Sequence, residues 1–454
     1  MILPVGRGAM GRVEQAARRP FLGRWTKLAD KMSTRSTVPE TLQLDQFTGG
    51  LNFPTGLTFG SDGTPYVSES GLPFAGAPRG GRILRLDGDE PTVLLDSLAP
   101  PVNGVTYHDG YLYVTVGGTP SQILRLPVTG GDPEVVVGKL PGPGNYQPSM
   151  VAFGPDGKLY FAQGAMTNLG IIGLDALDLG WLGLLNHEPD VPGLEIELRG
   201  GVSVETDDPD HPGQRATTGP FARFGSEHPA GTRIKPELPC SSAVMRCEPD
   251  GSGLELVAWG VRNGFGLLFL PDGRLIVTDQ GSDDRGSRPI GKAPELLFEV
   301  IEGEWYGWPD FIGDVPVSDP RFTPEQGGPP EFILANHDEL PAPHAALAEI
   351  ETHAAACKMA NMPDGRILLA LFGDEVPMTA PSGPKAGRSL AIIDPDGWSV
   401  ERVRAPGLER PIDVQYGSDG SLYVVDFGHF EPARGSMQAT AGSGGVWKAL
   451  PGQL

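Results

Sequence analysis

The sequence predicts an all-β fold, a six-bladed β-propeller of four-stranded antiparallel blades. Three observations carry that prediction. A phrase built around an Asp-Gly turn recurs six times, most copies are followed by a third strand with a related ending, and the 454 residues include 65 Gly and 46 Pro. Such a wealth of turn formers suits many short strands, whereas a helical chain carries fewer breakers.

The first three copies are LTFGSDGTPYVSES (57–70), VTYHDGYLYVTV (105–116) and VAFGPDGKLYFAQG (151–164). The others are LLFLPDGRLIVTDQG (267–281), KMANMPDGRILLALFG (358–373) and VQYGSDGSLYVVDFG (414–428). In each, an apolar strand runs into the turn, where Gly accepts a positive φ, and an alternating strand runs out, so each copy reads as a β-hairpin. The third strands are GRILRLD (81–87), SQILRLP (121–127), SAVMRCEPDG (242–251), RSLAIIDPDG (388–397) and GGVWKAL (444–450). One further strand leading into each hairpin would complete a blade. A single blade cannot cover both faces of its sheet, but six around an axis bury each other, so residues 41–454 are expected to act as one domain.

The turn aspartates are Asp62, Asp109, Asp156, Asp272, Asp364 and Asp419, so the middle blades carry long insertions where loops can build a site. The segment LQLDQFTGGLNFP (42–54) is expected to give an outer strand to the last blade, closing the ring with both chain ends. Residues 1–40 differ in kind: eight Lys or Arg against three acids, with little periodicity, read as a flexible basic extension.

A formal charge of -22 argues against nucleic acid or an anionic membrane as partner and is compatible with neutral sugars and bound cations. No stretch approaches the roughly 20 apolar residues needed to span a bilayer, and the first residues lack the apolar run of an export signal, which points to the cytoplasm. Cys240, Cys247 and Cys357 are too few for a disulfide scaffold and too irregular for a zinc site. They read as ordinary thiols, with a Cys240–Cys247 bridge as the alternative.

The window from Trp259 to Phe311 is richest in chemistry. A strand ends at Gln280 and is followed by Gly281, Ser282, Asp283, Asp284 and Arg285, a carboxylate-rich turn with exposed carbonyls that suits a hard cation such as calcium, or a solvated turn capped by its own aspartates. Arg262 and Asn263 precede an inner strand and should emerge near the axis, where a guanidinium and an amide could hold a carboxylate or quinone oxygen, or where Arg262 could pair with a neighbouring acid. Trp305, Tyr306 and Trp308 read as a blade-core cluster rather than a stacking platform, and Asp426 as either an axial ligand or a turn cap.

The phrases WGVRNGFGLLFLPDGRLIVTDQGSDDRGSRP, EGEWYGWPDF, LYFAQGAMTNLGIIG and GLERPIDVQYGSDGSLYVVDFG resemble the sorbosone and glucose dehydrogenase family of six-bladed propellers, over most of residues 45–450. Soluble members of that family use pyrroloquinoline quinone with calcium. The resemblance implies that Arg262 and Asn263 contact the quinone, with Gln280 beside them, that Gly281 and Ser282 offer carbonyls to calcium next to Asp284, and that Arg410 is one of the cofactor-binding arginines. It also implies a sugar substrate, an external electron acceptor and a periplasmic or secreted location. Two positions depart from the pattern: its second arginine falls on Ile412, and its catalytic histidine falls on Tyr146. Tyr, with an ordinary pKa of about 10, is a poor base unless a cation lowers it. Activity then requires Tyr146 to be activated or His353 to substitute. The leading expectation is a quinone-dependent sugar dehydrogenase. A metal-dependent hydrolase of the lactonase type, with side-chain carboxylates on the metal, and a catalytically silent binding propeller are the alternatives.

Overall fold

The computed structural model describes residues 40–88, 90–178, 187–383, 385–433, 436–449 and 453. The basic extension expected over residues 1–40 lies, but for Glu40, outside them. Thr41 bridges Arg404, and from Asp45 onward the chain is a ring of six four-stranded antiparallel sheets.

All six repeat phrases form the two inner strands of a blade. The innermost strands are Pro54–Phe59, Val102–His108, Pro148–Phe153, Gly264–Phe269, Ala356–Asn361 and Pro411–Tyr416, in blades I to VI. Each packs against the innermost strand of the next blade, and the sixth packs against the first. The turn glycines Gly63, Gly110, Gly157, Gly273, Gly365 and Gly420 all have φ between +74° and +92°, as the hairpins require. In five of the turns the aspartate also accepts the backbone N–H two residues on, as Asp62 does from Thr64 at 3.0 Å. The exception is Asp109, itself at φ +46°, which together with Gly110 makes a two-residue hairpin loop with both φ positive.

The third strands follow as expected, and blade IV supplies one that carries no related ending, Glu295–Glu299. The fourth strand corrects the sequence reading. It follows the third strand on the outside of the same blade, as Thr92–Leu98 does in blade I, and does not lead the hairpin. A connection as short as residues 99–101 then crosses to the innermost strand of the next blade. Blade VI alone is completed by the N-terminal strand Asp45–Leu51, paired with Gly444–Ala449, so the ring closes with both chain ends.

The core lies between blades. One apolar cluster joins blades I and II through Ile83, Val102 and Val114, another joins III and IV through Ala162, Leu267 and Val277, and the largest unites V, VI and I. Trp305 and Trp308 are buried with Trp259 in the cluster between blades II and III and the insertions, while Tyr306 is buried in the cluster of blades III and IV, so all three aromatics singled out in sequence are core residues. The three cysteines are buried free thiols. Blade III carries its insertion between Gln163 and Ala243, blade IV between Glu299 and Ala348, and the two join where Leu198 bridges Leu334.

Candidate functional site: the axial pocket

Every innermost strand is irregular at its first turn of pairing. Register breaks between Pro54 and Gly56, Val102 and Gly104, Pro148 and Val151, Gly264 and Leu267, Ala356 and Met359, and Pro411 and Asp413 leave extra residues unopposed. A bulge re-aims side chains. Here the bulges deliver Thr55, Asn103, Ser149, Phe265, Cys357 and Ile412 into one pocket at the mouth of the central channel, one residue from each blade. The pocket has a volume of about 210 Å³.

One step further down, the fully buried Lys358 reaches from blade V across the channel. Its Nζ donates to the carbonyls of Thr55 and Asn103, both at 2.7 Å, and lies 3.7 Å from the Asp413 carboxylate of blade VI. Glycine at position 56 makes room for it, since a Cβ there would stand 3.0 Å from Nζ. The pocket is therefore a well with Lys358 beneath its floor.

The wall on the side of blades III and IV is polar. Asp279, at the end of its strand, accepts the backbone N–H groups of Arg262 and Asn263 at 3.2 and 2.7 Å and so fixes the turn that presents them. Arg262 is buried and spends every donor on the protein. Nε donates to the Asn168 carbonyl at 3.1 Å, Nη1 to the carbonyls of Gln280 and Gly281 at 3.0 and 2.7 Å, and Nη2 to the Tyr146 hydroxyl, to Asn168 Oδ1 at 2.8 Å and to Asp283 Oδ2 at 2.9 Å. Asn263 donates to Gln280 Oε1 at 2.8 Å, and Gln280 in turn to the Ala356 carbonyl at 3.2 Å.

Asp283 is the hub. Its Oδ2 also accepts from the Tyr146 hydroxyl at 3.1 Å and from Arg285 Nε at 3.0 Å, while Arg285 pairs with Asp175 on its far side. Burial opposes the charge on Asp283, but Arg262 and Arg285, then His353, outweigh it and hold its carboxyl below the usual range. Tyr146 is pushed the other way. Burial raises its phenol above the ordinary value despite Arg262, so it stays protonated and donates to Asp283. His353 lines the same pocket from a turn in which both it, at φ +64°, and Ala355, at +49°, adopt left-handed backbone, a conformation that concentrates at functional sites.

Two acids complete the lining, Glu295 on this side and Glu375 toward Arg410. Glu295 is buried, accepts the N–H groups of Gly281 and Ala356 at 3.3 and 3.2 Å, and is pushed up to about 7 by burial. Glu375 is likewise pushed up to about 7 by burial, against the pull of Arg410. Gly281 allows the close packing of this corner, since a Cβ there would meet the Pro294 carbonyl at 2.7 Å.

Of the residues singled out in sequence, Tyr146, Arg262, Asn263, Gln280, Gly281 and His353 line the pocket together. Ser282 and Asp284 are buried just behind it: the Ser282 hydroxyl has no hydrogen-bond partner, and Asp284 accepts from the Glu325 N–H at 2.8 Å. Arg410 is sealed behind the opposite wall, donating to the carbonyls of Phe430, Gly373 and Asp374. Asp426 caps its turn by accepting from the N–H groups of Glu409 and Arg410, as Asp279 does for Arg262 and Asn263. Sequence reasoning passed over Glu295, Glu375 and the apolar wall of Leu72, Phe74, Phe372, Phe427 and Phe430, because nothing in their local phrases distinguishes a pocket residue from a core residue.

A calcium ion and a planar quinone can be tested against this donor set. The Gly281 carbonyl that accepts from Arg262 retains a second lone pair, the buried Ser282 hydroxyl is unpartnered, and Glu295 and Glu375 stand close by. Oxygen donors of this kind fit a hard cation. Among the described residues no group of three His, Cys, Asp or Glu side chains is placed to hold a metal, so a cation here would rest partly on backbone carbonyls. The Asn263 and Gln280 amides suit the edge of a flat ring.

No protein-family model matches the chain, and no curated protein matches it in sequence. Solved structures do match. An oxidoreductase described as a glucose dehydrogenase from Thermus thermophilus is 19% identical with a TM-score of 0.54, over 90% of this chain and 100% of that one. The PQQ-bound aldose sugar dehydrogenase of Streptomyces coelicolor is 16% identical with a TM-score of 0.53, over 91% and 99% of the two chains. The calcium structure of a carbohydrate-active enzyme of family AA12 from Trichoderma reesei is 12% identical with a TM-score of 0.55, over 91% and 96%. At such identities the likeness is one of fold, and the chain has the six-bladed propeller fold of the quinone-dependent glucose and sorbosone dehydrogenases.

Proposed function

We propose that this protein is an oxidoreductase that oxidises a sugar or related hydroxyl compound in the axial pocket, with pyrroloquinoline quinone and calcium bound there. The observation that carries the reading is the convergence of Arg262, Asn263, Gln280, Gly281 and His353 on a single well in a fold shared with such enzymes. When bound, the quinone would accept the hydride released from the carbinol carbon. Asn263 and Gln280 would hold the quinone edge, and Gly281, Ser282, Asp284 and Glu295 would supply oxygen around the cation.

The proton of the substrate hydroxyl goes to an imidazole nitrogen of His353, which lines the pocket. Asp283, negative in the same pocket, offsets the charge that His353 then acquires. Tyr146 holds its proton and steadies Asp283 between the two arginines. The reading implies an external electron acceptor and, as the resemblance suggests, a periplasmic or secreted location.

The test is titration of purified protein with pyrroloquinoline quinone and calcium, followed by dye reduction with a panel of aldoses. Stoichiometric binding with substrate-dependent dye reduction is expected. Absence of quinone binding at micromolar concentration would overturn the proposal.

A further inference from the structure

We infer that the compound this well accepts is an amphipathic alcohol, with its carbinol group at one end and a flat apolar end, such as an aryl ring, at the other. The orientation of the carbinol end rests on the oxidoreductase reading, whereas the apolar end is argued from the wall alone.

The two sides of the well differ in kind. On one stand His353, Asp283 and the amides of Gln147, Asn263 and Gln280. On the other, Phe74, Phe372, Phe427 and Phe430 pack on one another, with ring centroids 5.3 Å apart for Phe74 and Phe430, 5.3 Å for Phe372 and Phe427, and 5.6 Å for Phe427 and Phe430. Ile412 extends this surface to the floor. Arg410 brings a charge to the same side but does not present it. Its guanidinium lies 4.9 Å from the Phe372 ring centre and 5.6 Å from that of Phe430, and its donors go to backbone carbonyls and to the Glu431 carboxylate.

A hydroxyl pressed against those rings would give up its hydrogen bonds to water and gain none from the rings in exchange, which is costly. An aryl ring placed there would bury apolar area and meet phenylalanine edges in the arrangement aromatic pairs prefer. A compound hydroxylated on every side satisfies half of the well, and an alcohol polar at one end satisfies both halves.

The experiment measures binding calorimetrically on cofactor-free protein, with benzyl alcohol and 2-phenylethanol against glucose and glycerol. Aryl alcohols are expected to bind roughly tenfold to a hundredfold more tightly, as burial of one ring implies. Phe74→Ala, at the half-buried rim, should weaken the aryl alcohols about fivefold and leave glucose unchanged. Phe74→Leu, which removes the ring but keeps an apolar side chain, serves the same purpose if the first variant melts early. Glucose binding as tightly as benzyl alcohol, or both losing equally in the rim variants, would overturn the inference. Dye reduction by the protein loaded with pyrroloquinoline quinone and calcium separates the two claims. Aryl binding without dye reduction defeats the oxidoreductase reading and leaves this inference standing, while turnover that favours glucose over benzyl alcohol does the reverse.

Discussion

The turns before the innermost strands of blades IV and VI are built alike, yet they do opposite things. In each, an aspartate at the end of the second strand, Asp279 or Asp426, accepts two successive backbone N–H groups. In blade IV the turn delivers Arg262 and Asn263 into a web of buried charge. In blade VI the equivalent turn sets Glu409 at the position of Arg262 and Arg410 at that of Asn263, and Arg410 is folded back under two phenylalanine rings. The frame is shared, but the two arginines leave it one residue apart, and that offset together with their neighbours decides which of them reaches the well. Arg262 finds Asp283 and the carbonyls of the following loop. Arg410 instead finds the carbonyls of Gly373, Asp374 and Phe430 before it finds the pocket.

The sharpest way to break this contrast is to remove the hub of the charged side. Asp283→Ala strands Arg262 without its carboxylate, and loss of one partner of a buried pair should cost about 3–5 kcal/mol in urea unfolding, together with turnover. Next comes His353→Asn, which tolerates the left-handed backbone. It should lower kcat roughly a hundred- to ten-thousand-fold while the melting temperature stays within a few degrees, separating chemistry from scaffold.

A pH effect behind the polar wall should be smaller. Asp190 accepts from the Met166 N–H and the hydroxyls of Thr167 and Ser241, yet burial pushes it up to about 6. Because this acid ionises more readily in the unfolded chain, its contribution is present at low pH and is lost as pH rises from about 4 through about 6, on the order of 2–3 kcal/mol. Denaturant unfolding between pH 4 and 7 should show that fall, and Asp190→Asn should remove its share while leaving the part due to Asp279, Glu295 and Glu375. The least effect belongs to the apolar side: Ile412→Val should cost about 1 kcal/mol and leave the pH profile of turnover unchanged.

The six hairpins were legible because an Asp-Gly turn between alternating strands is decided within a dozen residues. The closing of blade VI by residues 42–54 was legible from a surplus strand at one end and a deficit at the other. Blade IV hid its third strand because Glu295–Glu299 lacks the shared ending, and the fourth strands were assigned to the wrong side of the hairpin because chain order alone does not say which blade a connecting strand joins. In the site, Arg262, Asn263, Gln280 and His353 could be read from their places before or after inner strands. The phenylalanine wall could not, since Phe74, Phe372, Phe427 and Phe430 come from three blades and their meeting depends on ring closure. Nor could the fate of Arg410, which depends on carbonyls some 20 and 36 residues away in opposite directions along the chain.

The seam in blade VI also sets a schedule for folding. Asn52 Oδ1 accepts from the Gly442 N–H across 390 residues of sequence, just beyond the paired strands Asp45–Leu51 and Gly444–Ala449. During synthesis at about 5–20 residues per second, the first strand waits roughly 20–80 s for its partner to be made. Until then blades I to V form an open arc with two unsheltered sheet faces. The first strand stays open to mispairing until Gly444–Ala449 has been made, and the pairing of those two strands turns the arc into a ring.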